Sequence, residues 1–183
     1  MAERFELATK RFKLRPWQSS DSDAFARMNA DPEVMADLGG PLTRAASDQK
    51  LDRFTRVYRE NGFTRWVIEA NDGTFLGYTG ATPSGEDHPL GAHHEIGWRL
   101  AREAWGQGYA TEAASAALND LFTRVGLVEV LAYTAADNVR SQAVMGRLGL
   151  RRDLSLDFTA EYEGSGPWSG LVWVATAPTI GQR

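Results

Sequence analysis

Residues 95–113 hold the densest chemistry of the chain, with Glu95-Ile96-Gly97-Trp98-Arg99-Leu100 followed by Trp105-Gly106-Gln107-Gly108-Tyr109-Ala110-Thr111-Glu112-Ala113. A carboxylate, Glu95, stands on an alternating segment, and two glycines fall where that segment gives way to an Ala-rich run with helical spacing. Glycine lets backbone N–H groups turn inward with no Cβ in the way. A helix start adds unpaired donors and the positive end of a dipole, so the natural guest is a phosphate group. A bare Gly-x-Gly pair is also an ordinary turn into a helix, and two familiar phosphate loops do not fit it. A P-loop needs Gly-Lys-Ser/Thr, and the last lysine of the chain is Lys50. A dinucleotide fingerprint needs three glycines, and Thr111 stands where the third belongs.

Composition removes other chemistries. The chain has no Cys, which excludes a thiolate zinc site, an iron–sulfur cluster and a cysteine nucleophile in one step. His93 and His94 are neighbours on a strand pattern and point to opposite faces, so with only His88 remaining no metal is expected. Twenty basic and 24 acidic side chains give a net charge of −4, and the basic ones are scattered, so the electrostatic footprint of a nucleic-acid binder is missing. Residues 1–14 mix Glu3, Arg4, Glu6, Lys10 and Lys13 with apolar residues and lack the apolar stretch of a leader. No window approaches eighteen consecutive apolar residues, so no membrane span is expected, and the chain is placed by default in the cytoplasm. A length of 183 residues with a globular composition predicts one domain, residues 1–183.

The elements that must position Glu95 and the glycines follow from periodicity. Phe12 and Leu14 alternate with charge ahead of Pro16, a first strand. Ser20 and Asp23 resemble a capping box opening a short helix that Asp31-Pro32 ends. Leu51, Phe54 and Tyr58 make one apolar stripe of a second helix, stopped at Asn61-Gly62. Residues 66–70 and 75–81 flank Asn71-Asp72-Gly73-Thr74 as a hairpin, and 83–91 reads as a loop. Residues 92–100 form a strand with His94, Ile96, Trp98 and Leu100 on one face and His93, Glu95, Gly97 and Arg99 on the other. A helix follows through 110–125, a strand over 127–134, a helix over 138–148, and strands over 154–162 and 169–175. The class is α/β, a mixed sheet of about six or seven strands flanked by helices.

The order of four pieces carries a family resemblance: Phe12-Lys13-Leu14-Arg15-Pro16, Glu95-Ile96-Gly97-Trp98, the stretch from Trp105 to Ala113, and Asn138-Val139-Arg140-Ser141 with Leu148-Gly149-Leu150. Together they resemble the GNAT N-acetyltransferases, within them the branch similar to ribosomal-protein N-terminal acetyltransferases. The general loop pattern of that family is Gln or Arg, two residues, Gly, one residue, Gly or Ala; Gly108 and Ala110 match it, and Trp105 replaces the first residue as is usual in the branch. The resemblance implies a mostly antiparallel sheet with one splayed strand pair, and acetyl-CoA as cosubstrate without a metal. It implies that Gln107, Gly108, Tyr109 and Ala110 hold the pyrophosphate, with Thr111 also on the cofactor side, and that Ile96, Gly97 and Trp98 border the pantetheine arm. Glycine at Gly97 is compatible with a bulge there. Asn138 would sit by the pantetheine, a role that does not exclude a helix N-cap.

Amine attack on a thioester needs a neutral amine, oxyanion stabilisation and a proton for the departing thiolate. Glu95 is the candidate base, with an ion pair to Arg99 as its structural alternative. Many members of the family place a Tyr seven residues after the Asn as the thiolate's proton donor; here Met145 stands there, and Ser141 is the substitute. Glu161 and Tyr162 are further acceptor-side candidates, for which a solvated strand is the simpler reading. Trp168 and Trp173 read as core or interface residues that would join two subunits in a homodimer. The acceptor is a primary amine, a protein N-terminus or a small molecule, with walls from loops 31–43, 84–91 and 163–170. An antibiotic- or polyamine-modifying enzyme, marked by a strongly acidic cleft, and a non-catalytic acyl-CoA-binding module, marked by a salt-bridged Glu95 together with a Ser141 buried away from the sulfur, are the alternatives.

Overall fold

A computed structural model describes residues 5–162 and 166–178. The described elements run β1 (Leu7–Ala8), β2 (Phe12–Arg15), α1 (Ser22–Ala30), α2 (Arg44–Asn61), β3 (Arg65–Ala70), β4 (Phe75–Ser84) and β5 (His93–Leu100). They continue with α3 (Tyr109–Asp120), β6 (Glu129–Thr134), α4 (Val139–Arg147), β7 (Arg151–Arg152), β8 (Phe158–Tyr162) and β9 (Gly166–Thr176). The sheet order is β1-β2-β3-β4-β5-β6-β9-β7, with β8 pairing β9. Seven of the nine strands are longer than two residues and are the ones alternation foretells; β1 and β7, two residues each, are too short to show a period.

Every strand pair is antiparallel except β5 with β6. That parallel pair is in register at one position, Glu95 opposite Leu131, whereas β4 and β5 match continuously from Gly77 opposite Leu100 to Ser84 opposite His93. Past Glu95 the two strands separate, and their facing backbone groups lose the ladder partner that a continuous sheet would give them.

The two faces of the sheet bury different helices because side chains alternate along each strand. Trp66, Ile68, Ala81, Ile96, Val130 and Ala132 share one core with Ala113, Ala114 and Ala117 of α3 and Met145 of α4. On the opposite face Val67 and Tyr78 pack with Phe25, Met28, Leu51 and Phe54 of α1 and α2.

Local departures from expectation have electrostatic causes. The turn into α1 is built on Asp21 instead of Ser20 and Asp23. The Asp21 carboxylate accepts from the Gln18 amide at 2.7 Å and meets Arg15 at 2.8 Å, and this buried pair fixes a 3-10 turn at Ser19–Asp21. The strand expected from residue 154 starts at Phe158, since Asp153 draws the Ser155 amide and hydroxyl into a 3-10 turn at Leu154–Leu156. β4 extends to Ser84 into the expected loop, and β9 begins at Gly166, ahead of the expected residue 169. No described helix is long and apolar enough to cross a membrane.

Candidate active site

Along the outer half of β5 a groove of about 1220 Å³ opens, bounded by Trp98, Arg99, the first turns of α3 and α4, and Glu33, Val34, Ala36 and Asp37. Gly108 caps α3 at φ 75°, a left-handed conformation that side chains with a Cβ rarely adopt. The amides of Tyr109, Ala110 and Thr111 open that helix and have no acceptor within it. The loop before them is pinned from both sides. Trp105 Nε1 donates to the Leu100 carbonyl at 3.0 Å, and the Arg140 guanidinium lies 4.1 Å above the Trp105 ring. Arg11 donates from Nη1 to the Gln107 carbonyl at 2.7 Å and from Nε to Glu112 at 2.6 Å, with its guanidinium 4.4 Å over the Tyr109 ring. Burial alone would raise the Glu112 carboxyl, but the Arg11 contact outweighs it and holds the group below its usual range. Arg140 on the groove wall and Arg11 beside the loop are cations at a helix N-terminus, a setting for a diphosphate.

Asn138 is the N-cap of α4. Its Oδ1 accepts from the Ser141 amide at 3.1 Å, and its Nδ2 donates to Asp37 at 2.7 Å. Asp37 in turn takes both terminal nitrogens of Arg99, at 3.0 and 3.3 Å, while Arg99 also donates to the Val34 carbonyl. Residues 34–37 are thereby strapped across the groove from β5 to α4.

Beside the groove lies a cavity of about 80 Å³ whose walls include Arg65, Tyr78, Glu95, Tyr133, Met145 and Trp168. It shares Asp37, Trp98, Arg99 and Ser141 with the groove, so the two spaces meet at those side chains. Cross-strand register builds it. Arg65 is opposite Gly80, and Gly80 is opposite Gly97, so one row across three strands carries a single long side chain followed by two glycines. A Cβ on Gly97 would stand 3.0 Å from the Arg65 Cζ, and the open lane lets Arg65 reach Glu95 at 2.8 Å. The bulge anticipated at Gly97 is absent, because the ladder to β4 runs unbroken there; this glycine makes room for a guanidinium. Glu95 is paired with Arg65, whereas the partner anticipated from the sequence, Arg99, is held by Asp37.

Two tyrosines of the cavity titrate in opposite directions. Burial would raise the Tyr78 phenol, but Lys50, Arg99 and Arg65 outweigh it and lower it to about 7. Burial and the neighbouring Glu95 carboxylate raise Tyr133, which stays protonated; its hydroxyl lies 3.3 Å from His88 Nε2 and 3.4 Å from His93 Nε2. His94 points the other way, against Phe63, and among the described residues no group of three His, Asp or Glu could hold a metal ion.

Residues 11–151 match the family model for the acetyltransferase (GNAT) domain. The chain belongs to the GNAT acetyltransferases. A curated relative, the FsC-acetyl coenzyme A-N(2)-transacetylase of Aspergillus fumigatus, is 32% identical over 154 residues, covering 79% of this chain and 64% of its own length. The solved acetyltransferase from Agrobacterium tumefaciens superposes with a TM-score of 0.75 at 25% identity, covering 96% of each chain. The ribosomal-protein-S5-alanine acetyltransferase of Vibrio fischeri shares the fold, with a TM-score of 0.74 at 16% identity over 97% of this chain and 100% of that one.

Against this GNAT domain the sequence-derived residues sort cleanly. Gly108, Tyr109, Ala110, Thr111 and Asn138 line the groove, Ile96, Gly97 and Glu95 line the cavity, and Trp98 and Ser141 line both. Gln107 is on neither wall; its side chain donates to the Glu103 carbonyl and its own carbonyl is taken by Arg11. Glu161 is exposed and also on neither wall. The Tyr162 side chain and residues 163–165 lie outside the described residues. Trp173 is buried in the core, the first of its two expected places and not the interface, and Trp168 is a cavity wall, held edge-on to Tyr133 and near Phe158. Arg11, Asp37, Arg65, Tyr78 and Tyr133 escaped sequence reasoning. Arg11 meets Gln107 from 96 residues away and Arg65 meets Glu95 across two strands, so no local spacing reveals either. The groove fits acyl-CoA: it offers orphan amides and cations at one end and the wall it shares with the cavity, Asp37, Trp98, Arg99 and Ser141, at the other.

Proposed function

We propose that this GNAT domain transfers an acetyl group directly from acetyl-CoA to a primary amine seated in the small cavity. The observation that carries the reading is that groove and cavity share Asp37, Trp98, Arg99 and Ser141, so one wall borders both substrates. Acetyl-CoA supplies the acyl thioester; the chain supplies placement and proton handling. The α3 amides and Arg140 hold the diphosphate end. Glu95 attracts the incoming ammonium and takes its proton, directly or through water, and Arg65 keeps the carboxylate aimed into the cavity. The C–S bond breaks as the N–C bond forms, and the Ser141 hydroxyl hydrogen-bonds the departing sulfur. Met145, buried on the cavity wall, has no proton to give. With no Cys in the chain, a cysteine acyl-enzyme has no place in this route.

The acceptor is a small molecule or a protein N-terminus. A polyamine is disfavoured, because Asp37 and Glu95 are each matched by an arginine and the cleft is not strongly acidic. A cytoplasmic homodimer belongs to the same proposal, although Trp173 is buried within the chain and is not free to join two subunits. Thiol release from acetyl-CoA over a panel of primary amines tests the reading. Acceptor-dependent release with a mass gain of one acetyl group on the amine supports it; release that ignores every acceptor contradicts it.

A further inference from the structure

Resting on the reading that the cavity seats the acceptor, we propose that the acceptor is an amine bearing a nearby carboxylate, an α-amino-acid-like zwitterion whose carboxylate is held by Arg65 and Arg99. Both guanidiniums line the cavity, with side chains 14% and 11% exposed. Glu95 meets one terminal nitrogen of Arg65, and Asp37 meets both of Arg99. A guanidinium's fork of N–H groups matches a carboxylate in geometry and charge.

Charge does not oppose it. Around Tyr78 stand three cations, Lys50 from α2, Arg65 from β3 and Arg99 from β5. Of these only Arg65 and Arg99 line the cavity, and its carboxylates Asp37 and Glu95 match them one for one. A polycation finds both carboxylates already paired, while a neutral zwitterion answers each half: ammonium toward Glu95, carboxylate toward the guanidiniums. Size agrees. About 80 Å³ takes on the order of five or six water-sized groups, close to the five heavy atoms of an amine, its carbon and a carboxylate.

The test compares matched acceptors: glycine, alanine and leucine, each as the free acid, the carboxamide and the decarboxylated amine. Acetyl transfer is followed by thiol release, and binding of the same compounds to the CoA-loaded protein by saturation-transfer NMR. The free acids are expected to exceed their carboxamides roughly tenfold to a hundredfold in kcat/KM, with the gap mostly in KM. Arg65→Lys, which keeps the charge but loses the fork, should shrink the gap between acid and carboxamide; Arg99→Lys is the second variant should the first fail to fold. Carboxamides equal to or better than acids in both readouts would overturn the proposal. If no compound is acetylated, preferential NMR binding of the acids still supports the carboxylate site while counting against the transfer reading, and equal binding overturns the site.

Discussion

The groove and the cavity touch at one wall, yet they are written in the sequence in different ways. The end of the groove proposed for the diphosphate is a backbone site: a left-handed Gly108, the first amides of α3 and the cap at Asn138, all within two short contiguous stretches. The cavity is a side-chain site in which Arg65, Tyr78, Glu95 and Tyr133 come from four strands and Asp37 from the segment between α1 and α2. A backbone site needs a glycine and a helix start, so local sequence shows it. A side-chain site of this kind exists only once register has set Arg65 beside Gly80 and Gly97. A fold can therefore keep its cosubstrate site while the acceptor site changes through residues far apart in the chain.

Separable damage to the two regions tests that division. The largest effect is expected on the cavity side: Glu95→Gln should lower turnover by roughly two to four orders of magnitude with CoA affinity nearly intact, measured by thiol-release kinetics and isothermal titration. A weakly basic acceptor, which loses its proton easily, should partly rescue the variant. On the groove side, Gly108→Val forces a branched Cβ at φ 75° and crowds the amides; CoA affinity should fall roughly tenfold to a hundredfold while the fold persists by circular dichroism.

Gly97→Ala is the mirror image. Its Cβ would push on the Arg65 guanidinium at 3.0 Å, so acceptor KM should rise by roughly tenfold and CoA affinity should not move. If CoA affinity fell as much as acceptor affinity, the two sites would not be separable. Ser141→Ala should cost less than Glu95→Gln, on the order of tenfold in turnover, because a hydroxyl that hydrogen-bonds the sulfur supplies only part of the stabilisation.

At neutral pH the smallest effect is the pH signature of Tyr78. A phenol lowered from 10 to about 7 in the folded chain adds stability that is fully present above pH 10 and is lost as pH falls through about 7. Absorbance at the phenolate band should show one tyrosine ionising near 7, absent in Tyr78→Phe. Chemical denaturation should show the stability gap between the two proteins widening from pH 7 to 10. A carboxylate bound between Arg65 and Arg99 would draw on the same cations and should move that ionisation upward.

How much of this was legible varies element by element. The hairpin around Asn71-Asp72-Gly73-Thr74, the alternation of β5 and the Gly108 entry to α3 rest on local rules and appear in the structure as read. The start of α1 did not, because Asp21 bonds both Gln18 and Arg15 and that buried pair outranks a solvent-facing cap at Ser20. Glu95 and Ser141 stand in the motifs and both line the cavity, but the partner of Glu95 is not legible, since Arg65 lies two strands away and Asp37 holds Arg99. That the missing side chain of Gly97 makes room for Arg65 is not legible either, because it depends on the register of three strands.

The central claim is that cosubstrate and acceptor meet at the wall shared by groove and cavity. A crystal structure with CoA bound tests it most directly. The account predicts the diphosphate on the amides of Tyr109, Ala110 and Thr111, the pantetheine arm in the split between β5 and β6, and the sulfur within hydrogen-bond reach of the Ser141 hydroxyl, facing the cavity that holds Glu95. A CoA whose sulfur ends outside the β5–β6 split, or on the far side of α4 from Ser141, would contradict it.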